Sequence, residues 1–282
     1  MQGLGDKNDI LAKTIMLFDR PCAARYNADS LKQRGLDAIA SRNTEDQRRE
    51  AEGIVYFDRG VVSGQDGKKY SRYAIQTHFV EVGEDQAELV RRYVLPLKQD
   101  GDVLSFGAKV MAMCVKSVKT RQDATPGFWA NLLWRFAAHN TTGIGMHEPY
   151  KMQLTISICG LPRVLLAAFL SAVTKPFGIR GVFYRVCGRG VAGIDGFYPD
   201  SSFEVYKNLA LINPPQPDKL SDDLARATGI PVVLMDANDF QRNQLGKSKD
   251  FPLTDSQIQD AMQDNPSGQG DELTPLILIR PL

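Results

Sequence analysis

Two stretches of the sequence combine glycine or apolar residues with a carboxylate in patterns that suit phosphate and metal chemistry. Residues 188–195 read Gly-Arg-Gly-Val-Ala-Gly-Ile-Asp, so three glycines precede Asp195. Glycines let a backbone approach a bulky anion, and Asp195 would place a carboxylate beside it. Residues 231–239 read Pro-Val-Val-Leu-Met-Asp-Ala-Asn-Asp, and this apolar run ends at Asp236. A carboxylate at the carboxyl end of a buried strand is a common feature of α/β sites, so the two acids could share one divalent cation.

Both stretches also have purely structural explanations, which the sequence leaves open. Glycines cluster in many tight turns, and residues 188–193 lack the helix start and the distant acid of a dinucleotide-binding motif. Residues 236–239 could instead form an Asx-turn that closes a strand and caps the next helix. Residue types and spacing alone therefore do not decide between a ligand site and ordinary turns.

Lys109 is a third candidate because it lies within the apolar residues 103–115, which we predict to be a β-rich run interrupted at Gly107. A buried ammonium group is costly unless it reaches solvent, pairs with a carboxylate or meets an anionic ligand. The alternative is a charge on the solvated face of a strand.

The segment 140–149 mixes hydroxyls, glycines and ionisable groups, as ligand-binding loops often do. It contains Thr142, and His147 is followed directly by Glu148. This histidine and its acidic neighbour could act in proton transfer or ligand recognition. A loop histidine can equally be held by a hydrogen bond with no further role.

The composition of the 282-residue chain, with 43% hydrophobic and 24% charged residues, is typical of globular proteins. A net charge of +1 indicates no overall attraction to nucleic acid or to an anionic membrane, and it favours a small-molecule partner. The four cysteines are far apart, so we expect reduced thiols rather than a zinc site or disulfides. No secretory signal is recognisable, and residues 164–173 are too short an apolar run to cross a bilayer, so we expect a cytoplasmic protein.

The sequence pattern predicts a mixed α+β fold in residues 53–282, preceded by a polar extension, residues 1–52, that is helical or partly disordered. A hairpin around residues 64–67 is expected to feed the sheet, and the segment 241–249 is expected to be a mobile cover over the site. A βαβ crossover is expected to end at the strand that carries Asp236. The other predicted helices span residues 84–94, 126–139, 150–159, 161–175 and 218–227, and the other strands 183–187, 206–212 and 274–280.

Several of these segments, taken in order, resemble the motifs of the coenzyme F-420 γ-glutamyl ligase family from about residue 73 onwards. The resemblance rests on Asp-Gly-Asp-Val at 100–103 with Lys109, on Ala-Gly-Ile-Asp at 192–195, on Asn-Pro-Pro-Gln-Pro-Asp at 213–218 and on Val-Val-Leu-Met-Asp at 232–236. Further matches are similar to a bacterial ligase-like branch of that family. They are Gly-Ile-Gly at 143–145, Glu-Pro at 148–149, residues 160–167, and Asp-Ala-Asn-Asp at 236–239 with Asp-Asn-Pro at 264–266.

The resemblance implies an α/β fold peculiar to the family, in an intertwined homodimer. It implies a ligase that joins L-glutamate to a small carboxylate acceptor through an acyl phosphate, with cleavage of GTP or ATP and with Mg²⁺ or Mn²⁺. Asp195 and Asp236 would be the metal ligands and Lys109 would contact the nucleotide phosphates. Gly190, Gly193, Thr142 and Asn238 would complete the nucleotide site, and His147, Glu148 and Asp239 are further candidates.

The sequence departs from the family pattern after each acid, with Gly-Phe-Tyr-Pro-Asp-Ser-Ser after Asp195 and Ala-Asn-Asp after Asp236. The resemblance therefore leaves the acceptor and the choice between GTP and ATP open. A protein that kept the fold as a non-catalytic nucleotide or metabolite binder is the alternative function.

Overall fold

The computed structural model describes residues 42–137, 146–179, 181–197, 204–237, 242–268 and 272–282. These residues form a seven-stranded sheet, a three-stranded sheet and packed helices. The mixed α/β class predicted from the sequence is therefore confirmed.

The strands, in chain order, are β1 (Arg48–Ala51), β2 (Ile54–Ser63), β3 (Lys69–Ile75), β4 (Val103–Gly107), β5 (Val118–Thr120), β6 (Asp195–Gly196), β7 (Leu209–Leu211), β8 (Val232–Ala237), β9 (Arg242–Lys247) and β10 (Leu276–Pro281). The helices are α1 (Gln86–Tyr93), α2 (Ala108–Cys114), α3 (Phe128–Leu133), α4 (Pro149–Cys159), α5 (Leu161–Thr174), α6 (Val182–Cys187), α7 (Arg189–Ala192), α8 (Glu204–Asn208), α9 (Pro217–Thr228) and α10 (Asp255–Ala261). Single 3₁₀ turns follow α1, α3 and α5, at Leu95–Leu97, Trp134–Phe136 and Lys175–Phe177.

The seven-stranded sheet has the order β1-β2-β3-β10-β4-β8-β9. Its described neighbours pair antiparallel except β4 and β8, which are parallel and place Gly107 opposite Met235. Parallel strands end at the same edge of a sheet, so the segments that follow β4 and β8 begin side by side.

The seven-stranded sheet has a hydrophobic core on each face. In the central strand β10, Leu276 and Leu278 belong to the core beneath α1 and α9, whereas Ile277 and Ile279 belong to the core beneath α10. This is the two-residue side-chain period of a strand buried on both faces. It confirms the predicted apolar strand at residues 274–280.

The three-stranded sheet, β5-β7-β6, packs with a helical region formed by α3 to α7 around a separate core. Helices α4 and α5 are separated by Gly160, whose φ of 81° is unfavourable for other residues, and Pro162 follows in the first turn of α5. The two predicted helices are confirmed. None of the described helices meets the length and hydropathy of a membrane span on its own, and α4 together with Leu161–Phe177 does so only as a pair bent by 116°.

Two predicted strands are helical over part or all of their length. Residues 183–187 form α6, bracketed by Gly181 and Gly188 at φ of 74° and 92°, and residues 206–208 end α8 before β7 begins. The prediction for residues 183–187 was wrong, because a short apolar run has the same composition in a strand and in a buried helix, and here it packs in a core of helices. The strand predicted at 206–212 is confirmed only for Leu209–Leu211.

The predicted boundary at residue 52 lies inside the sheet, because Arg48–Ala51 is strand β1 and pairs with β2. Arg59 of β2 also donates hydrogen bonds to Gln47 Oε1 at 2.6 Å and Asn43 Oδ1 at 2.7 Å. Arg48–Ala51 is thus part of the sheet rather than of a polar helical extension, and Asn43 and Gln47 are hydrogen-bonded to it. The rest of that predicted extension, residues 1–41, lies outside the described residues.

The predicted cover over the site is instead an edge strand in its described part. β9 pairs with β8, and the Lys247 N–H donates to Asp218 Oδ1 at the start of α9 at 3.0 Å. The predicted βαβ crossover was also wrong in detail, since α9 connects β7 of the smaller sheet to β8 of the larger one. The parallel pair is β4 and β8.

Candidate functional site

Lys109 lies in the first turn of α2, directly after the edge at which β4 ends. β4 stops at Gly107, whose N–H donates to the Pro275 carbonyl at 2.8 Å, and a Cβ at Gly107 would lie 3.2 Å from that oxygen. Gly107 then becomes the N-cap of α2, which begins at Ala108. The predicted strand through residue 115 therefore ends early, and Lys109 is carried by a helix.

Asp236 lies near the end of β8, one residue beyond the position that pairs with Gly107. Val232 to Met235 are buried, whereas Asp236 is half-buried. The apolar run thus leads to a carboxylate at the carboxyl edge of the sheet, as predicted. Because β4 and β8 are parallel, Lys109 and Asp236 occupy adjacent positions on that edge.

Asp195 reaches the same place from the smaller sheet. It begins β6 and pairs with Leu211 of β7. Leu211 packs in one buried cluster with Ala112 and Met113 of α2, the helix that carries Lys109. The hydrophobic contact between β7 and α2 therefore positions Asp195 relative to Lys109.

The three predicted residues are brought together in the structure. The Lys109 Nζ forms an ion pair with Asp195 Oδ2, and the charge of Asp236 also acts on Lys109. Solvent can reach 57% of the Lys109 side-chain surface. Desolvation lowers the pKa of Lys109, but the combined attraction of Asp195 and Asp236 outweighs it, and the pKa is raised.

The pKa of Asp236 is raised above its ordinary value of 3.8, chiefly because burial disfavours the charged carboxylate. Lys109 opposes this shift and the like charge of Asp195 adds to it. Because the charge of Asp195 raises the pKa of Asp236 beside a single ammonium group, an additional cation would be stabilised at this site.

Lys151, which sequence reasoning missed, is a second amine at this site. It lies in the first turn of α4 with only 5% of its surface exposed, and it interacts electrostatically with Asp195, Glu148 and Lys109. Burial lowers its pKa although the two acids oppose the shift. Its sequence signal was the same as that of Lys109, a lysine beside a long apolar stretch.

Glu148 holds the start of α4 next to this lysine. Its carboxylate caps the helix by accepting the Lys151 N–H at 2.6 Å, and it lies 3.8 Å from the Arg121 guanidinium, which stacks 4.5 Å above the Tyr150 ring. Burial raises the pKa of Glu148. Glu148 therefore has a structural role in positioning Lys151.

Tyr206 of α8 also faces the site, and no motif in the sequence indicated it. Burial raises the pKa of its phenol; the charge of Lys109 lowers it and that of Asp195 raises it. Its hydroxyl lies 3.7 Å from Met113 Sδ on α2, and its ring is 6.4 Å from that of Phe79. Tyr206 thus places a phenol hydroxyl near the amine of Lys109.

The predicted nucleotide-binding glycines have local structural explanations. Gly190 lies in the short helix α7, where an added Cβ would lie 3.5 Å from the Ile158 side chain. An added Cβ on Gly193 would overlap the Asn213 side chain. The close approach at Gly193 is therefore to Asn213. This contact favours the turn interpretation of the glycine motif, while Asp195 two residues later still reaches the site.

His147 is held by contacts with the 3₁₀ turn that follows α3. Its Nδ1 donates to the Ala137 carbonyl at 3.0 Å, and its ring lies 4.9 Å from that of Trp134 in an edge-to-face arrangement. These contacts fit the simpler of the two predicted roles, a hydrogen-bonded histidine. Three other predicted residues, Thr142, Asn238 and Asp239, lie outside the described residues.

Among the residues that the structure describes, no group of three or more acidic, histidine or cysteine side chains converges as a metal site would require by itself. Mg²⁺ in nucleotide sites, however, takes one or two protein carboxylates and completes its shell with phosphate oxygens and water. Asp195 and Asp236 fit that reduced donor set. The described cysteines, Cys114, Cys159 and Cys187, are free thiols, as expected.

No protein-family model matches the chain, and a search of curated proteins finds no match either.

Proposed function

We propose that the protein is a nucleotide- and metal-dependent amide ligase, which adds L-glutamate or another amino acid to a small carboxylate through an acyl phosphate. The single observation that carries this proposal is the meeting of Lys109, Asp195 and Asp236 at the carboxyl edge of β4 and β8. We also propose that the chain is related to the F-420 γ-glutamyl ligase family, shares the fold of that family and forms its homodimer.

The chemistry needs the groups that converge here. A carboxylate is a poor electrophile until one of its oxygens is phosphorylated, and phosphoryl transfer spreads negative charge over the transferred group. Lys109, with its raised pKa, stays protonated and can bind those oxygens. Lys151 supplies a second amine beside Asp195, and Tyr206 a hydroxyl.

The charges of the site also explain the need for a divalent cation. Two lysines and two carboxylates cancel one another, so the four side chains alone attract a nucleoside triphosphate weakly. Asp195 and Asp236 would hold Mg²⁺ or Mn²⁺, which would neutralise phosphate charge as the γ-phosphoryl group is transferred. Lys109, released from its ion pair with Asp195, would then be available to the phosphates.

The test is release of inorganic phosphate from GTP or ATP by the purified full chain, with Mg²⁺, L-glutamate and a panel of small carboxylates. We expect phosphate release that depends on the acceptor, an amide product by mass spectrometry, and loss of both in Asp195→Asn and Asp236→Asn. Asp250→Asn, at an exposed turn, is the matched control and should retain activity. Full activity of both site variants would refute the assigned roles.

The ion pair between Lys109 and Asp195 favours one second candidate, a non-catalytic nucleotide binder. A carboxylate already neutralised by lysine can hold a conformation without a metal. Thermal stabilisation by nucleotide with Mg²⁺, without phosphate release across the acceptor panel, would identify this function instead.

A further inference from the structure

Helix α5 and the turn after it present apolar side chains to solvent. Leu166, Phe169, Val173 and Phe177, here called the α5 stripe, are 52%, 63%, 47% and 78% exposed. Their spacing of three or four residues places Leu166, Phe169 and Val173 on one face of α5, while Val164 and Ala167 are fully buried on the other, and Phe177 ends the 3₁₀ turn after the helix. A contiguous exposed apolar face of this kind is typical of an interaction surface.

The chain around the stripe has an unusual charge distribution. From Pro149 to Ile194 the sequence contains no Asp or Glu but six basic residues: Lys151, Arg163, Lys175, Arg180, Arg185 and Arg189. Since the whole chain carries +1, the remaining residues together carry −5. Arg163 and Lys175 are exposed at the two ends of α5, next to the stripe.

We infer that the α5 stripe docks on the surface of an anionic lipid membrane. An exposed apolar helix face flanked by Lys and Arg, in a segment without acids, matches a helix that lies in the membrane interface. Its phenylalanine, leucine and valine side chains would enter the acyl boundary while Arg163 and Lys175 contact lipid phosphates. This inference is independent of the proposed ligase activity.

Other partners fit these observations less well. A second copy of the chain would bring two segments of the same positive charge together, and like charges across an interface are unfavourable. Nucleic acid would match the charge but would leave the aliphatic stripe without a partner. A membrane-spanning role does not suit α5, because its 14 residues extend roughly 21 Å, less than the hydrocarbon core of about 30 Å.

The net charge of the whole chain predicted no attraction to an anionic membrane, and the proposal departs from that expectation because of the local charge. Averaging over 282 residues conceals an excess of positive charge in 46 consecutive ones. Electrostatic attraction to a membrane acts over about 8–10 Å at physiological salt, so the charge near the contact matters more than the total.

Flotation of the full chain with lipid vesicles tests the inference. We expect binding to vesicles that contain about one-third phosphatidylserine, weak binding to pure phosphatidylcholine, and a decrease with added NaCl. Phe169→Ser should reduce binding, whereas Val61→Ser, at an exposed site on β2, should not. Arg163→Gln combined with Lys175→Gln should weaken binding about fivefold per charge removed.

The matched charge control is Lys119→Gln combined with Lys219→Gln, which removes two exposed lysines elsewhere and should leave binding unchanged. Circular dichroism would confirm that each variant is folded. The inference is overturned if the wild-type chain does not float with anionic vesicles, or if the two charge-pair variants bind equally. It is also overturned if Phe169→Ser converts a dimer to a monomer in sedimentation without any vesicle binding, because the stripe would then cover a second copy.

Discussion

The seven-stranded sheet and the helical region α3–α7 contribute to one site but are built differently. The sheet region has an apolar core on each face, with Leu278 and Ile279 almost inaccessible to solvent, and it buries Asp102 in an ion pair with Arg280. The helical region buries Lys151 and Glu148 and exposes the α5 stripe. The sheet therefore supplies a rigid edge for Lys109 and Asp236. The helical region contributes the buried Lys151 and Glu148 and exposes the α5 stripe.

The difference suggests that the sheet provides most of the folding stability, whereas the helical region provides surfaces for interaction. Well-packed apolar residues contribute most of the free energy of folding, so substitutions in the sheet should be costly. Exposed apolar groups contribute little to folding, and a buried charge opposes it unless it is well paired, as Asp102 is with Arg280. The following predictions test that contrast.

The largest effect on stability is expected at the ion pair between Asp102 and Arg280, on the edge of the sheet away from the site. Arg280 Nε and Nη2 each donate to a carboxylate oxygen of the fully buried Asp102 at 2.8 Å. Asp102→Ala leaves the guanidinium without its partner and should lower the free energy of unfolding by about 3–5 kcal/mol. Urea unfolding would measure it.

Asp223→Ala is the matched control for Asp102→Ala, because it breaks an exposed ion pair with Arg226 one turn away in α9. Exposed pairs contribute less than about 1 kcal/mol. Equal losses in the two variants would contradict the view that the sheet region is the rigid part.

Truncation of one leucine in each region compares their packing directly. Leu278→Ala in β10 removes a side chain that is 1% exposed and should cost about 2–5 kcal/mol. Leu166→Ala in the α5 stripe, 52% exposed, should change stability by less than about 0.5 kcal/mol. A large loss in Leu166→Ala would show that the stripe is covered within the folded protein.

A smaller, pH-dependent effect is expected from Lys151. Its folded pKa is lowered by burial, whereas in the unfolded chain it is near 10.5, so the unfolded state binds the extra proton between these values. The free energy of unfolding of the wild type should therefore rise as pH increases through that window. Urea unfolding at several pH values should show a shallower rise in Lys151→Met.

Lys219→Met, an exposed lysine on α9, is the control and should reproduce the wild-type pH dependence. If Lys151→Met and Lys219→Met show the same pH dependence of the free energy of unfolding, the pKa of Lys151 is not lowered by burial beside Asp195 and Glu148. The helical region would then not contribute a buried amine to the candidate site.

The sequence was most informative where a pattern is long or is bounded by clear signals. The apolar strands at Asp236 and at residues 274–280 and the helices on both sides of Gly160 were predicted correctly, because periodicity and flanking glycine or proline agree there. Residues 183–187 and 206–208 were mispredicted as strands, since in so short a run tertiary packing decides between strand and helix. The polar strand β9 was missed because its pairing with β8 is not encoded in its own composition.

The same contrast applies to the site. Asp195, Asp236 and Lys109 stand out as polar residues that interrupt or end apolar segments, and the structure brings them together. Tyr206 could not be predicted, because its position depends on how α8 packs beside α2. Lys151 was missed although it borders an apolar stretch as Lys109 does.

The most direct test of the central proposal is calorimetric titration of the protein with GTP, and separately with ATP, in the presence of Mn²⁺. We expect binding that requires the metal, and a loss of affinity of roughly tenfold or more, about 1.4 kcal/mol, in each of Asp195→Asn and Asp236→Asn. Asp250→Asn should bind like the wild type. Unchanged affinity in both site variants, or no binding of either nucleotide by the wild type, would contradict a shared metal–nucleotide site at Lys109, Asp195 and Asp236.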